Sequence, residues 1–284
     1  MTVNNVNIHT VHCNNEYDSL NHVIAAPPDY MKITSIINET QSHYAKTNID
    51  IETAIREHKN FINVLKNNGA EVTYLNTSPD LNEQVFTRDI GFAIQDKFFL
   101  SNMNHPIRKR ETELLNDCLN ENRLAFIPFE DSNIEGGDVI VDNDFVWVGI
   151  SERTEESSLE LLKSHLPHHE VTPIHLSLVI LHLDCVFNIL EDRNALIYPD
   201  GMDQTSFDIL RRHYNLIEIT EEEQFQMGPN VLSIGDKKVI SMPESRRINE
   251  KLRTLGYEVI EISFSEIIKS GGSFRCCSLP VNRG

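Results

Sequence analysis

The chain has 284 residues, enough to bury a sizeable core, with 43 acidic against 25 basic side chains and a formal charge of −18. That balance excludes a phosphate backbone or an anionic membrane as the natural partner and favours a small cation. The opening MTVNNVNIHTVHCNNEY has no apolar run or basic flank, residues 176–183 are too short and too interrupted to cross a bilayer, and five cysteines without a CxxC pair suit a reduced, cytoplasmic protein.

In chain order, LNHVIAAPP (20–28) predicts a strand ended by a Pro-Pro break, and IETAIREHKNFINVLKNNG (51–69) an amphipathic helix with a glycine stop. GAEVTYL (69–75) is a β-rich segment, followed by the turn VFTRD and the hairpin pattern IGFAIQDKFFL (90–100). The helix-like PIRKRETELLNDCLNE (106–121) leads to the next β segment, NRLAFIPF (122–129). The same order then recurs. IEGGD precedes the hairpin 139–149, helix 158–166 and strand 169–176; LHLD precedes hairpin 185–198, helix 206–214 and strand 214–220. MGPN precedes hairpin 231–242, helix 244–256 and strand 256–264, and the fifth turn, GGSFRC, comes just before the chain ends.

The turn residues Asp89, Asp138, Asp184 and Asn230 stand 49, 46 and 46 residues apart. The fifth module is split, its turn and first strand closing the chain and its second strand and helix opening it. This predicts a five-bladed, pseudo-symmetric α/β propeller, one catalytic unit over residues 1–284. Equivalent turns in such a ring point towards one axis, so Arg88, Asp89, Glu135, Asp138, His182, Asp184 and Cys276 should converge. The fourth turn, around Asn230, offers no side chain with an assignable role.

Alone, each residue reads as a turn, a cap or a core histidine. Together they suggest a nucleophilic thiol, a general acid/base and carboxylates that hold a planar cation. A guanidinium fits, because its central carbon is electrophilic and its N–H groups match carboxylates. No ligand spacing calls for a metal, and no cofactor is expected.

FTRD, EGGD, HLD and GGSFRCCSLP resemble the signature turns of the guanidino-group modifying enzymes: arginine deiminases, dimethylarginine dimethylaminohydrolases and amidinotransferases. The resemblance runs from about residue 20 to the end and implies the same five-bladed α/β propeller. It makes Cys276 the nucleophile, His182 the general acid/base with Glu135 as its carboxylate partner, and Asp89 the guanidinium holder. Asp184 and Asp138 join the substrate-binding set. Segments resembling NHPIRKRET and GISERTEE point to Arg108 and Arg153 as anchors for a substrate α-carboxylate, so the expected ligand is a small guanidino amino acid.

The compact length resembles the dimethylarginine hydrolases, whereas Asp184 in HLD resembles arginine deiminases and amidinotransferases. Lys269 and Ser270 stand where arginine deiminases carry an arginine before the glycines. The expected reaction is hydrolysis of arginine or an Nω-substituted arginine to citrulline. The alternatives are amidinotransfer through the same adduct, or a non-catalytic propeller scaffold like the ribosome anti-association factor that shares this ring. Homo-oligomerisation stays open. Cys277 is expected to turn into the core, on the ground that successive strand side chains face opposite ways.

Overall fold

The computed structural model describes residues 7–284, so the first six residues of the stretch read for a signal lie outside the described residues. The first strand, β1 (Leu20–Ala25), is followed by Pro27 and Pro28, where the chain loses two backbone donors and leaves the sheet. Helix α1 (Glu39–Tyr44) starts at Asn38, whose side chain accepts the Gln41 amide. Helix α2 (Ile51–Asn67) starts at Asp50, whose carboxylate accepts the Glu52 and Thr53 amides. The spacing of Ala54, His58, Phe61, Ile62 and Leu65 puts them on one buried face, and Phe61 and Leu65 pack with Val23 of β1 and Val72 of β2 (Glu71–Tyr74).

Four copies of one motif follow, each an antiparallel hairpin extended by a parallel third strand. The first comprises β3 (Gly91–Ile94), β4 (Lys97–Leu100) and β5 (Ile127–Pro128), with α3 (Glu111–Glu121) before the third strand. The second comprises β6 (Val139–Asp142), β7 (Phe145–Ile150) and β8 (Glu170–His175), with α4 (Ser158–His165). The third comprises β9 (Phe187–Ile189), β10 (Asn194–Ile197) and β11 (Asn215–Glu218), with α5 (Gln204–His213). After the short α6 (Glu221–Phe225) comes the fourth, β12 (Leu232–Gly235), β13 (Lys238–Ser241) and β14 (Glu258–Glu261), with α7 (Arg246–Thr254). The last strand, β15 (Leu279–Arg283), runs antiparallel to β1, which pairs in parallel with β2.

The fifth sheet is therefore built from both ends of the chain, and the architecture is the five-bladed pseudo-symmetric α/β propeller that the repeat predicts. Strand β5 is shorter than the predicted β segment 122–129; Pro128 has no N–H to carry the ladder further. The apolar interior is divided into five clusters, each joining one module to the next. Phe92, Phe99, Val139 and Val146 link the first two; Ile140, Trp147 and Phe187 the next pair; Leu190, Leu196, Val239 and Ile248 the third and fourth. Leu232, Ile240 and Val23 join the fourth to the split module, and Ile24, Leu279, Phe98 and Leu115 join that module back to the first. Among the described residues no helix is long and apolar enough to cross a membrane.

Candidate active site

The five turns precede β3, β6, β9, β12 and β15, and they are tied to one another in a closed circle of hydrogen bonds. The Arg88 amide donates to the Cys276 carbonyl (3.0 Å), and the Gly136 amide to the Asp89 carbonyl (2.8 Å). The Leu183 amide donates to Asp138 Oδ1 (2.9 Å), Asn230 Nδ2 to the Asp184 carbonyl (3.1 Å), and the Cys276 amide to Asn230 Oδ1 (3.3 Å). Three of the five links, one through Asp138 and two through Asn230, use a side chain on one side rather than backbone alone.

Within this circle lies a small cavity, with Asp89, Arg108, Arg153, His182, Gly272 and Cys276 among its lining residues. All four of these ionisable partners of the thiol are buried to 5 % exposure or less, as is Cys276 at 2 %. His182 Nε2 lies 2.8 Å from Glu135 Oε2, and its Nδ1 lies 3.6 Å from Asp89 Oδ1. Burial alone would lower the imidazole's pKa. The Asp89 carboxylate, the Glu135 hydrogen bond and Asp138 overcome that and push it up to about 10, so the ring is held as an imidazolium. Glu135 in turn is held below the usual carboxylate range: burial opposes this, but the bond to His182 and the Arg108 and Arg153 charges prevail. Its other oxygen accepts the Asn104 amide at 3.2 Å.

The glycines of EGGD make this arrangement possible. A Cβ on Gly137 would stand 2.8 Å from the His182 ring and 2.9 Å from Asp89 Oδ1. A Cβ on Gly272 would stand 2.6 Å from the Phe86 ring and 2.9 Å from the Cys276 Cβ. The second glycine pair thus brings the backbone against a protein aromatic ring beside the thiol.

Three buried polar atoms at the cavity have no hydrogen-bond partner: Asp89 Oδ1, His182 Nδ1 and Arg153 Nη1. Arg153 is held by its Nη2, which donates to the Ile37 carbonyl at 2.9 Å, and its Nη1 faces Glu135 at 3.7 Å. Arg108 lines the cavity in a different state. Its Nη1 donates to Asp89 Oδ2 at 2.6 Å, and its Nε and Nη2 both donate to Glu111 Oε2. An internal arginine already occupies one oxygen of the acid expected to hold a guanidinium.

Asp184 lies against Cys276, its oxygens 3.7 and 3.9 Å from Sγ and one of them 3.7 Å from Arg275 Nε. Burial raises its pKa, and the Arg275 charge works against that rise. Asp138 is not brought to the cavity. Besides the Leu183 amide it accepts the Ser151 hydroxyl at 2.8 Å, and burial pushes its carboxyl up to about 6. Its position in the repeat puts it at the turn, but its side chain points along the circle to the next turn. Arg88 likewise turns elsewhere, donating to Glu16 (2.8 Å) and to the Val139 carbonyl.

The cysteine pair does not sit in a strand. The Cys277 amide donates to the Ser273 carbonyl (3.0 Å), so residues 273–277 form a hydrogen-bonded turn, and β15 begins only at Leu279. Cys276 lines the cavity, whereas Cys277 is fully buried in the cluster with Phe61 and Phe274, and burial raises its thiol well above the ordinary range. All five cysteines are free thiols.

Two functional candidates escape the sequence reading. Asn230 carries the same 46-residue signal as its neighbours, but an amide has no obvious chemistry until its partners are known. Glu83 lines the cavity, accepts from Gln41 Nε2 and the Ser270 hydroxyl, and is pushed by burial up to about 7. It stands six residues before Asp89, where no period marks it. Among the described residues, Asp89–Glu135–His182 and His182–Asp184–Cys185 each bring donor atoms within 4.8 Å of one another. The shared imidazole is already bonded to Glu135 and protonated, which suits proton transfer rather than ligation.

The chain matches the family described as N,N dimethylarginine dimethylhydrolase, eukaryotic, over residues 27–283. The uncharacterized protein YkgA of Bacillus subtilis is 46 % identical over 97 % of this chain and 96 % of its own. The N(G),N(G)-dimethylarginine dimethylaminohydrolase of Pseudomonas aeruginosa is 26 % identical over 91 % of this chain and 98 % of its own. In fold, the chain resembles the product-bound N-terminal domain of ArgZ, an arginine dihydrolase from cyanobacteria, with a TM-score of 0.85 and 24 % identity over 92 % of this chain and 97 % of that one.

Proposed function

The chain belongs to the dimethylarginine dimethylaminohydrolase family of the guanidino-group modifying enzymes, and from that premise we propose that it hydrolyses the guanidino group of free arginine or an Nω-methylated arginine to citrulline. All five modules would form one catalytic unit, working in a reducing compartment such as the cytoplasm, which five free thiols suit. The observation that carries this reading is the set of three unpartnered buried atoms, Asp89 Oδ1, His182 Nδ1 and Arg153 Nη1, around the cavity that Cys276 lines. Buried polar atoms normally have partners, so these three mark where a ligand brings its own.

The substrate guanidinium donates to Asp89 Oδ1 and, from its other edge, to Asp184. Its α-carboxylate meets Arg153 Nη1, and Arg108 exchanges Asp89 for the same carboxylate as the substrate's cation replaces its own. Glu83 is the acid available to the α-ammonium. With the substrate's charge in place, the Cys276 thiolate attacks the central carbon and forms a C–S bond. His182 Nδ1–H gives its proton to the departing nitrogen, and the C–N bond breaks to release ammonia or an alkylamine. The remaining thiouronium is attacked by water, which passes a proton back to His182. The C–S bond then breaks and restores the thiolate, the second proton of that water is lost to solvent, where it balances the released amine, and the ureido product leaves. Glu135 keeps the imidazole oriented through both proton transfers.

The test is a panel of arginine, mono- and dimethylarginine, agmatine and guanidinoacetate, reading ureido product and released amine. Turnover of arginine or a methylarginine, with agmatine excluded because it lacks the carboxylate, is the expected result. Product formed only when an acceptor amine is added would replace hydrolysis by amidinotransfer.

A further inference from the structure

We propose that Asn230 is the positioning residue of the nucleophile: one carboxamide fixes the Cys276 backbone and donates an N–H to Sγ, favouring the thiolate at the point of attack. The inference rests on Cys276 being the nucleophile, as proposed above.

Asn230 is fully buried, and each end of its carboxamide has two partners. Oδ1 accepts the amides of Arg275 (3.1 Å) and Cys276 (3.3 Å); Nδ2 donates to the Asp184 carbonyl (3.1 Å) and lies 3.2 Å from Cys276 Sγ. Three of these contacts build the circle of turns and would serve any protein with this fold. The fourth does not. A neutral thiol gains little from an N–H at that distance, whereas a thiolate gains a charge-assisted hydrogen bond.

The need for such a donor follows from the surroundings. Asp184 lies 3.7 Å from Sγ, with Cys185 next to it, and Asp89, Glu83, His182, Arg108 and Arg153 surround the cavity. The closest of these charges is a carboxylate, which opposes a second anion. The Nδ2 contact is shorter than either contact of Sγ with Asp184, and it comes from a neutral group that no substrate need displace; the Cys185 thiol also hydrogen-bonds Cys276.

The test is the ionisation of Cys276 itself, read from thiolate absorbance and from the pH dependence of iodoacetamide alkylation. Each full-length protein is compared with its own Cys276→Ser partner to subtract the other four thiols. Asn230→Asp keeps the shape and the acceptor but turns the N–H donor into an oxygen. Its Cys276 midpoint should rise by at least about one pH unit, slowing alkylation about tenfold below that midpoint. Because the new carboxylate raises the midpoint by its charge as well, the deciding arm is Asn230→Ser, which removes the amide without adding charge and should move the midpoint in the same direction. A purely structural role would lower the melting temperature and leave the midpoint in place; either folded variant with an unmoved midpoint overturns the proposal.

If neither variant folds, the wild type answers through its ¹⁵N-labelled asparagine side chains. One side-chain amide should titrate with the Cys276 midpoint and lose that response in Cys276→Ser, and the absence of any such amide overturns the proposal. None of these readouts uses a guanidino compound. Failed turnover with a shifted midpoint therefore sinks the hydrolase reading alone, and turnover with an unmoved midpoint sinks the role of Asn230 alone.

Discussion

Arg88 and Asp89 are neighbours in the chain but belong to two different clusters of buried charge. Arg88 meets Glu16, whose two oxygens accept Arg88 Nη2, the Val141 amide and Arg275 Nη1 at 2.8 to 3.1 Å. Burial opposes the charge on Glu16, but Arg275, Arg88 and Arg283 hold its carboxyl far below the ordinary range. Asp89 faces the cavity, where its Oδ1 and the facing His182 Nδ1 have no hydrogen-bond partner. Arg275 stands where the clusters touch: Nη1 reaches Glu16, while Nε, itself without a hydrogen bond, faces Asp184 at 3.7 Å. A carboxylate with all its bonds made holds the fold, and one left short of bonds is prepared for a ligand.

That contrast can be broken most sharply at the thiol. Cys276→Ser should abolish turnover while leaving the protein folded, and Cys277→Ser should keep most of it. Equal loss of ureido product in both would remove Cys276 as nucleophile. Replacing His182 by alanine should lower turnover about 10²–10⁴-fold, because proton transfer to the leaving nitrogen is lost. Substrate affinity measured by calorimetry should survive better than turnover, and an intact rate would exclude the imidazole as the acid.

On the other side of the comparison, Glu16→Gln should act on stability. It leaves two buried arginines without their counter-charge and should cost about 3–5 kcal/mol in a urea unfolding curve. A curve that matches the wild type would show that the Glu16 cluster is not what secures these turns. Asp184→Asn should be subtler, weakening arginine several-fold more than dimethylarginine in KM, because only the unsubstituted edge donates two N–H groups. The reverse ranking would assign Asp184 to the thiol alone.

The smallest effect concerns pH. His182 has a folded pKa near 10 against an ordinary value of 6.5, so its contribution to stability is complete below about 6.5 and fades as pH rises towards 10. The stability gap between wild type and His182→Asn should therefore narrow across that window. A gap independent of pH would mean that the imidazole is not held charged.

Much of the site was legible because the ring repeats. Asp89, His182 and Cys276 could be placed at equivalent turns, and the cavity gathers all three. What the repeat does not record is the step from position to partner. Asp138 occupies the same repeat position yet bonds Leu183 and Ser151, and Arg108 carries the right charge but is engaged by Asp89 and Glu111. Asn230 drew no role because an amide acquires one only from what surrounds it. The expectation for Cys277 reached the core by a wrong route, through a strand where the chain makes a turn.

The sequence by itself determined the five modules, the closure of the ring by both chain ends, and the residues at each turn. Those follow from local physics: alternation buries one face of a strand, three-to-four spacing buries one face of a helix, and proline and glycine mark the breaks. Only the tertiary structure decided which turn residues face the cavity, which bridge to the next turn, and which buried atoms are left without partners. That choice rests largely on residues 45 or more apart, as in Leu183–Asp138, Cys276–Asn230 and His182–Glu135, across modules that touch only after folding. No local pattern in the chain records it.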